Sequence, residues 1–405
     1  MFKFIHHLNW IESKSAYMQE LVKKWSEINS FSTHLTGIAE LLGKVEADFT
    51  QLNGTHTLIP LAPYKTITTT GESNEQPLGP ALHIRKRPLA PIQIFLGGHI
   101  DTVFPPSSPF QKIIEKDSDS WIGPGVTDMK GGLAILLMAL AALEQSHLAE
   151  HIGWEILINP DEEIGSPGSA PLFEEAAKRN HFGLIFEPSF PDGAFVSSRK
   201  GSSTYMIIIK GRSAHVGRDF ASGSHAIYAL AEFIQKIEKL GQTEGLIANV
   251  GYVEGGGPVN IVPEHAALRL NIRSAEEKKI LSFKHQLEAI VEQCQKREGI
   301  QIFLHNDAYR MPKPFDAKTE LLFKLYGSCA EQLKLPFHLR DTGGVCDGNI
   351  LAGSGLPTLD SIGAMGGKMH THNEYIYLPS LVYRAQLAAL FLFKIASREI
   401  TFPKV

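Results

Sequence analysis

Residues 154–167, WEILINPDEEIGSP, decide how this chain is read. Trp154 to Ile158 is an apolar run of strand type. It ends in three consecutive acids, Asp161, Glu162 and Glu163, followed by a Gly and a Pro that break the chain direction. Upstream, IQIFLGGH (92–99) is a second apolar strand running into a turn. Between the two, DMKGGLAILLMALAALEQS (128–146) reads as a helix. Downstream come a helix, GSAPLFEEAAKRN (168–180), and a third strand, FGLIFEP (182–188). Apolar strands alternating with helices predict an α/β fold: a mixed, mostly parallel sheet sandwiched by helices. Such sheets bind ligands beyond the carboxyl ends of their strands. Each of these three strands carries acids or a His at that end.

From about residue 199 the pattern changes. STYMIIIKG (203–211) is a strand and GSHAIYALAEFIQKIEKL (223–240) has helical period. LIANVGYVEGG (246–256) and HAALRLNIR (265–273) are strands. EEKKILSFKHQLEAIVEQCQKRE (276–298) is a helix, and IQIFLH (300–305) closes as a strand. Strand, helix, strand, strand, helix, strand is the split βαβ plan of a ferredoxin-like sandwich. The expected division is 1–198, an inserted domain at 199–311, and a return to the first domain at 312–405. The chain closes on an amphipathic helix, LPSLVYRAQLAALFLFKIASRE (378–399). The N-terminal stretch, residues 1–25, reads as one amphipathic helix.

The 405 residues carry a net charge of −4, with 43% apolar and 20% charged residues. Mixed charge of this kind has no basic footprint for nucleic acid. The N-terminus lacks the apolar core of a signal peptide. The longest apolar run, GGLAILLMALAAL (131–143), falls short of the about 20 residues that span a bilayer. No membrane association and a cytoplasmic location are therefore expected. Cys294, Cys329 and Cys346 are far apart and form no CxxC, so neither a disulfide framework nor a cysteine metal site is expected. No strand runs into GxGxxG, which argues against a dinucleotide enzyme.

Five clusters at strand ends or in loops hold ligand-type side chains: His99 and Asp101, Asp128, Glu162 and Glu163, Glu187, and MHTHNEY (369–375) with His370, His372 and Glu374. Singly, each has an ordinary explanation; Asp128 before a helix would be an N-cap. Together, carboxylates crowded at neighbouring strand ends raise one another's pKa unless a cation sits among them. Histidines with carboxylates and no cysteine suit zinc, and also manganese or cobalt. In extended chain His99 and Asp101 point the same way. Asp101 can then accept the ring N–H of His99, the usual partner of a metal-bound histidine.

LGGHIDTVFP, GPGVTDMKGG, NPDEEIGSPGS, FEPS, GRSAHVGR, GGPVNIVPEHAALRLNIR and MHTHNEY occur in that order. Together they resemble the co-catalytic zinc aminoacylase/carboxypeptidase family, which includes glutamate carboxypeptidase, acetylornithine deacetylase and succinyl-diaminopimelate desuccinylase. The resemblance runs over roughly residues 80–390. It implies a zinc-exopeptidase fold with an inserted lid and dimerisation domain. It also implies two Zn2+ per chain, with Co2+ or Mn2+ as alternatives. His99, Asp128 and Glu187 would hold one metal, and Asp128, Glu163 and His370 the other. The family's spacing to Glu374 and Tyr375 selects His370 over His372. A cis peptide at Asp128–Met129 belongs to the same pattern.

By the same resemblance the catalytic residues are Glu162 as general base, Asp101, and His215 as the oxyanion donor, often reaching across a homodimer. The substrate contacts are Arg273 and Asn260, with Gly343 and Gly344 in a loop lining the pocket. Arg310 is a hinge contact or a second carboxylate ligand, and Asp161 has no role beyond orienting its turn. The expected reaction is hydrolysis of an amide or peptide bond next to a free amino-acid carboxylate, glutamate carboxypeptidase-like, with Glu162 activating a water held by the metals. The alternative is an N-acyl-amino-acid deacylase of the acetylornithine deacetylase or desuccinylase kind. A binding module that had lost the chemistry would lack some of these positions; all are present.

Overall fold

The computed structural model describes residues 3–402. Its central sheet has six strands in the spatial order Thr55–Ile59, Ala81–Lys86, Ile152–Asn159, Ile92–His99, Phe182–Ile185 and Thr358–Leu359. The last three pairings are parallel and the first two antiparallel. Successive side chains point to opposite faces. Ile94, Leu96, Ile156 and Ile158 therefore enter one core, while Phe95 and Leu157 enter another on the far side. Helices cover both faces, as the apolar strands require.

On the first face lies α4 (Gly132–Glu144), every residue but its last buried, against α10 (Pro379–Ala396). With the turn before it, α4 forms the one helical stretch among the described residues apolar and long enough to cross a membrane, Val126–Glu144. It lies wholly inside the protein. Gly132 starts α4 because a Cβ there would meet the Phe186 carbonyl oxygen at 1.9 Å. Helices α5 (Ala170–Ala177) and α9 (Asp347–Gly353) cover the second face.

The N-terminal stretch differs from the single helix expected. Lys14 breaks it into α1 (Ile5–Ser13) and α2 (Ser15–Ser26), where the Ser13 hydroxyl donates to the Trp10 carbonyl. A serine bonding its own backbone in this way competes with the helix. Residues 26–90 add α3 (Leu35–Phe49), the two antiparallel strands of the central sheet, and a hairpin, Tyr64–Ile67 with Ser73–Gln76.

Residues 201–310 form a separate four-stranded antiparallel sheet, ordered Leu246–Gly255, His265–Ser274, Gly201–Lys210, Gln301–Arg310. Helices α6 (Ala226–Gly241) and α7 (Glu277–Cys294) pack on one face around their own apolar core. Ile67 of the hairpin packs on the other face, against Met206, Ile208 and Ala267. The sheet begins at Gly201 and ends at Arg310, and Ser202 pairs with Arg310, so entry and exit lie side by side.

Candidate metal centre

Three adjacent parallel strands end at one level. His99 is in register with Asn159, and Gly97 with Ile185. The residues just past these ends therefore converge. Glu162 and Glu163 form a short helical turn closed by Gly165, whose φ of +98° suits glycine. Asp128 comes from the turn leading into α4, whose peptide bond to Met129 is cis. His370 enters from the loop before the strand Tyr375–Tyr377, with φ of +62°.

Ligand atoms of His99, Asp128 and Glu187 lie within 4.8 Å of one another, and so do those of Asp128, Glu163 and His370. Asp128 belongs to both groups, one oxygen to each. Its Oδ1 is 3.2 Å from His99 Nε2, and its Oδ2 is 3.4 Å from His370 Nε2. His99 Nε2 is also 3.7 Å from Glu187, and His370 Nε2 is 3.1 Å from Glu163. His372 faces elsewhere, stacked on Phe110 and 3.2 Å from the Ser108 hydroxyl.

Electrostatics shows what such a cluster needs. Burial and the Asp128 charge push Glu187 up to about 8, and the same two causes raise Glu163. Burial works against a charged His99, yet Asp101 and Asp128 hold it well above the usual histidine range. His370, beside Asp128 and Glu163, is lifted to about 11. Carboxylates this close and this buried need positive charge among them to stay ionised together. The donors are imidazole nitrogens and carboxylate oxygens with no thiol, a set that fits a pair of divalent cations sharing Asp128.

Asp101 is fully buried behind His99. Its Oδ1 is 3.3 Å from His99 Nδ1, and its two oxygens accept the backbone N–H of Glu162 and of Glu163. Glu162 belongs to neither ligand group and lines the cleft beside them. Burial drives its pKa well above the carboxylate range, against the pull of Arg310, whose Nη1 lies 3.3 Å from Glu162 Oε1. Arg310 also donates to Ser166 and lies 3.4 Å from Asp347. Asp161 has more than a turn to orient. It accepts from the backbone of Gly168 and Ser169 and from the Ser169 hydroxyl, fixing the loop after the two glutamates.

A cleft of about 310 Å³ opens beside the cluster, lined by Asp128, Glu162, Glu163, Glu187 and His370 and, opposite them, by Gly344 and Arg199. Arg273 donates to the Gly343 carbonyl at 2.6 Å, in the loop that carries Gly344. Neither Arg273 nor Gly343 itself lines this cleft, and nor do His215 and Asn260. The last two sit together on exposed loops of the second sheet, where Val216 donates to the Asn260 carbonyl. Cys346 is buried and caps α9. Two residues escaped the sequence reading. Arg199 pairs with buried Asp360, and Glu374 accepts the backbone N–H groups of Gly125, Thr127 and Asp128. Glu374 stands among the ligand-type residues of MHTHNEY and marks its spacing, but the sequence does not show it as a backbone acceptor; nothing in sequence flags Arg199.

A family model described as Peptidase family M20/M25/M40 matches residues 95–394, well over half of the chain. The chain belongs to that family. Family M20 membership makes it a metallohydrolase, a peptidase or amidohydrolase. It is 26% identical over 302 residues to carboxypeptidase G2 of Pseudomonas sp. strain RS-16, covering 73% of this chain and 72% of the relative. It is 27% identical over 305 residues to a succinyl-diaminopimelate desuccinylase of Gluconobacter oxydans, covering 70% and 76%. Its fold matches an M20 family metallo-carboxypeptidase of Sulfolobus solfataricus with a TM-score of 0.73 at 16% identity, over 94% of this chain and 99% of that one. The mixed, mostly parallel sheet between helices is thus the M20 architecture.

Proposed function

We propose that this M20 enzyme is a dinuclear zinc hydrolase that cleaves an amide or peptide bond next to a free amino-acid carboxylate. The division of Asp128 between two ligand groups, one oxygen to each, carries this reading. His99, Asp128 and Glu187 would hold one cation, and Asp128, Glu163 and His370 the other. Such a pair, once bound, acidifies water and polarises the scissile carbonyl.

The protein's own groups do the rest. Glu163 lies 3.1 Å from His370 in the ligand group it shares with Asp128, while its neighbour Glu162, paired with Arg310, lines the cleft and takes a proton from water and delivers it to the leaving nitrogen. Asp101 fixes both the His99 ring and the two glutamates' backbone. Arg273 takes the substrate's free carboxylate, since a guanidinium matches a carboxylate in shape and charge. Asn260 reaches the same group, and the loop of Gly343 and Gly344 lines the pocket. Residues 199–311 act as lid and dimerisation domain, between residues 1–198 and 312–405. His215, exposed on that lid, donates to the developing oxyanion in the partner subunit of a homodimer.

Glutamate carboxypeptidase-like action is the leading form, supported by the 26% identity to carboxypeptidase G2. N-acyl-amino-acid deacylation is the second form, supported by the similar likeness to a desuccinylase. A panel of peptidyl and N-acyl amino acids, assayed with metal content measured on the same sample, separates them. Turnover confined to the peptidyl substrates favours the first form, and turnover of simple N-acyl amino acids favours the second. A fully metallated sample that turns over neither class defeats both.

A further inference from the structure

The cleft wall from Pro188 to Pro191 is braced from behind by Arg384 of α10, which is 3% exposed. Its Nη2 donates to the Gly193 carbonyl at 2.7 Å and to the Ser189 hydroxyl at 3.1 Å. Its guanidinium lies 4.1 Å over the Phe195 ring. Its Nε–H and Nη1–H, both buried, meet no acceptor among the described residues. Tyr326 packs edge-on against the same Phe195 ring, centroids 5.7 Å apart, and its buried hydroxyl also lacks a partner among the described residues.

The contrast with the other two buried arginines is sharp. Arg199 pairs with Asp360, and Arg310 with Glu162 and Asp347. The polar groups facing Arg384 are neutral: Ser189, Gly193, the Tyr326 phenol and the Tyr383 phenol, whose hydroxyl is in hydrogen-bonding range of the guanidinium. Arginine does not shed its proton in a protein. An isolated buried charge is costly unless a counter-charge and hydrogen bonds meet it. A water would accept hydrogen bonds but bring no charge. A phosphate or sulfate dianion would leave a second buried charge without a partner.

We propose that Arg384 Nε and Nη1, with the Tyr326 hydroxyl, form a buried site for a small monovalent anion, chloride, behind the cleft wall. The anion neutralises Arg384, and Arg384 holds the segment Ser189–Gly193 in place. An anion bound only by the folded state stabilises it in proportion to its occupancy.

The test uses the full chain and does not depend on its substrate. Crystals soaked in sodium bromide are measured at the bromine absorption edge. Melting temperature is followed against chloride, with gluconate keeping the ionic strength constant. A bromide peak within hydrogen-bond distance of Arg384 Nε and Nη1, and a melting temperature that climbs with chloride, are expected. Tyr326→Phe moves the chloride midpoint about tenfold higher, the effect of one hydrogen bond to a charge. Arg384→Met abolishes the response; should it fail to fold, Tyr326→Phe and the wild-type bromide map decide. The absence of a halide peak at Arg384 overturns the proposal. So does a peak there with a chloride-independent melting temperature, which marks an adventitious ion only.

Discussion

Asp101 accepts the backbone N–H of Glu163 at 3.0 Å, and its other oxygen accepts that of Glu162 at 3.1 Å. One buried carboxylate thus sets the position of both glutamates while it also faces the His99 ring, and the Ser32 hydroxyl completes its shell at 2.7 Å. The two strand ends are joined through this side chain. That explains how adjacent glutamates hold different directions.

Asp101→Asn places an amide N–H2 where one of these acceptors stood. One backbone N–H, or the Ser32 hydroxyl, then loses its partner. Metal affinity is expected to fall about 10- to 100-fold, the usual effect of losing such a supporting contact. Competition with a chelator measures it. Unchanged affinity would remove Asp101 from the account of the centre.

Glu162→Gln keeps the size of the side chain and removes its basicity. Both metals should stay bound while kcat falls by about 10²- to 10⁴-fold, the range of general acid–base catalysis. Metal analysis and steady-state kinetics on one preparation give both numbers. Turnover near the wild-type rate would rule out Glu162 as the base.

Glu374 receives Gly125, Thr127 and Asp128 within 3.0 to 3.1 Å, Thr127 and Asp128 on one oxygen and Gly125 on the other. It ties the His370 loop to the turn that presents Asp128. Glu374→Ala leaves buried donors without partners, at about 1–3 kcal/mol each. Melting temperature and metal affinity should fall together. Glu374→Gln, with one carbonyl left, should lose less of both. A stable Glu374→Ala protein with normal metal affinity would show that the turn holds itself.

Glu155 gives a pH dependence remote from the centre. Burial pushes its pKa up, but His83, Arg179 and Asn180 bond it and hold it at about 2. A carboxylate with a depressed folded pKa contributes its stability above the ordinary value and loses it as pH falls through the folded one. The contribution is therefore full above pH 4.5 and gone below about 2, and amounts to about 3 kcal/mol. Glu155→Gln should flatten the acid limb of the unfolding free energy over that window. An acid limb as steep as the wild type's would assign it to other groups.

Much of the centre was legible in the sequence because its side chains sit where apolar strands stop. Runs such as IQIFLGGH and WEILINP announce a buried parallel strand, and the polar residue that follows marks the sheet edge where ligands gather. The four-stranded sheet of residues 201–310 was legible for a similar reason, since long runs such as STYMIIIKG leave little choice of period. Other parts were not. The strand Thr55–Ile59 is short and mostly exposed, so it carries no apolar run. The Glu162–Arg310 pair spans 148 positions, and an arginine in sequence carries no sign of the acid it will meet. Arg384 reads as an ordinary helical residue in VYRAQ; its isolation from any acid exists only once Ser189, Phe195 and Tyr326 fold around it.

The central claim is a pair of metals sharing Asp128. Diffraction from zinc-loaded crystals, recorded just above and just below the zinc absorption edge, tests it most directly. Two anomalous peaks are predicted: one among His99, Asp128 and Glu187, the other among Asp128, Glu163 and His370. A single peak at full zinc loading, or peaks that leave Asp128 uncoordinated, would contradict it.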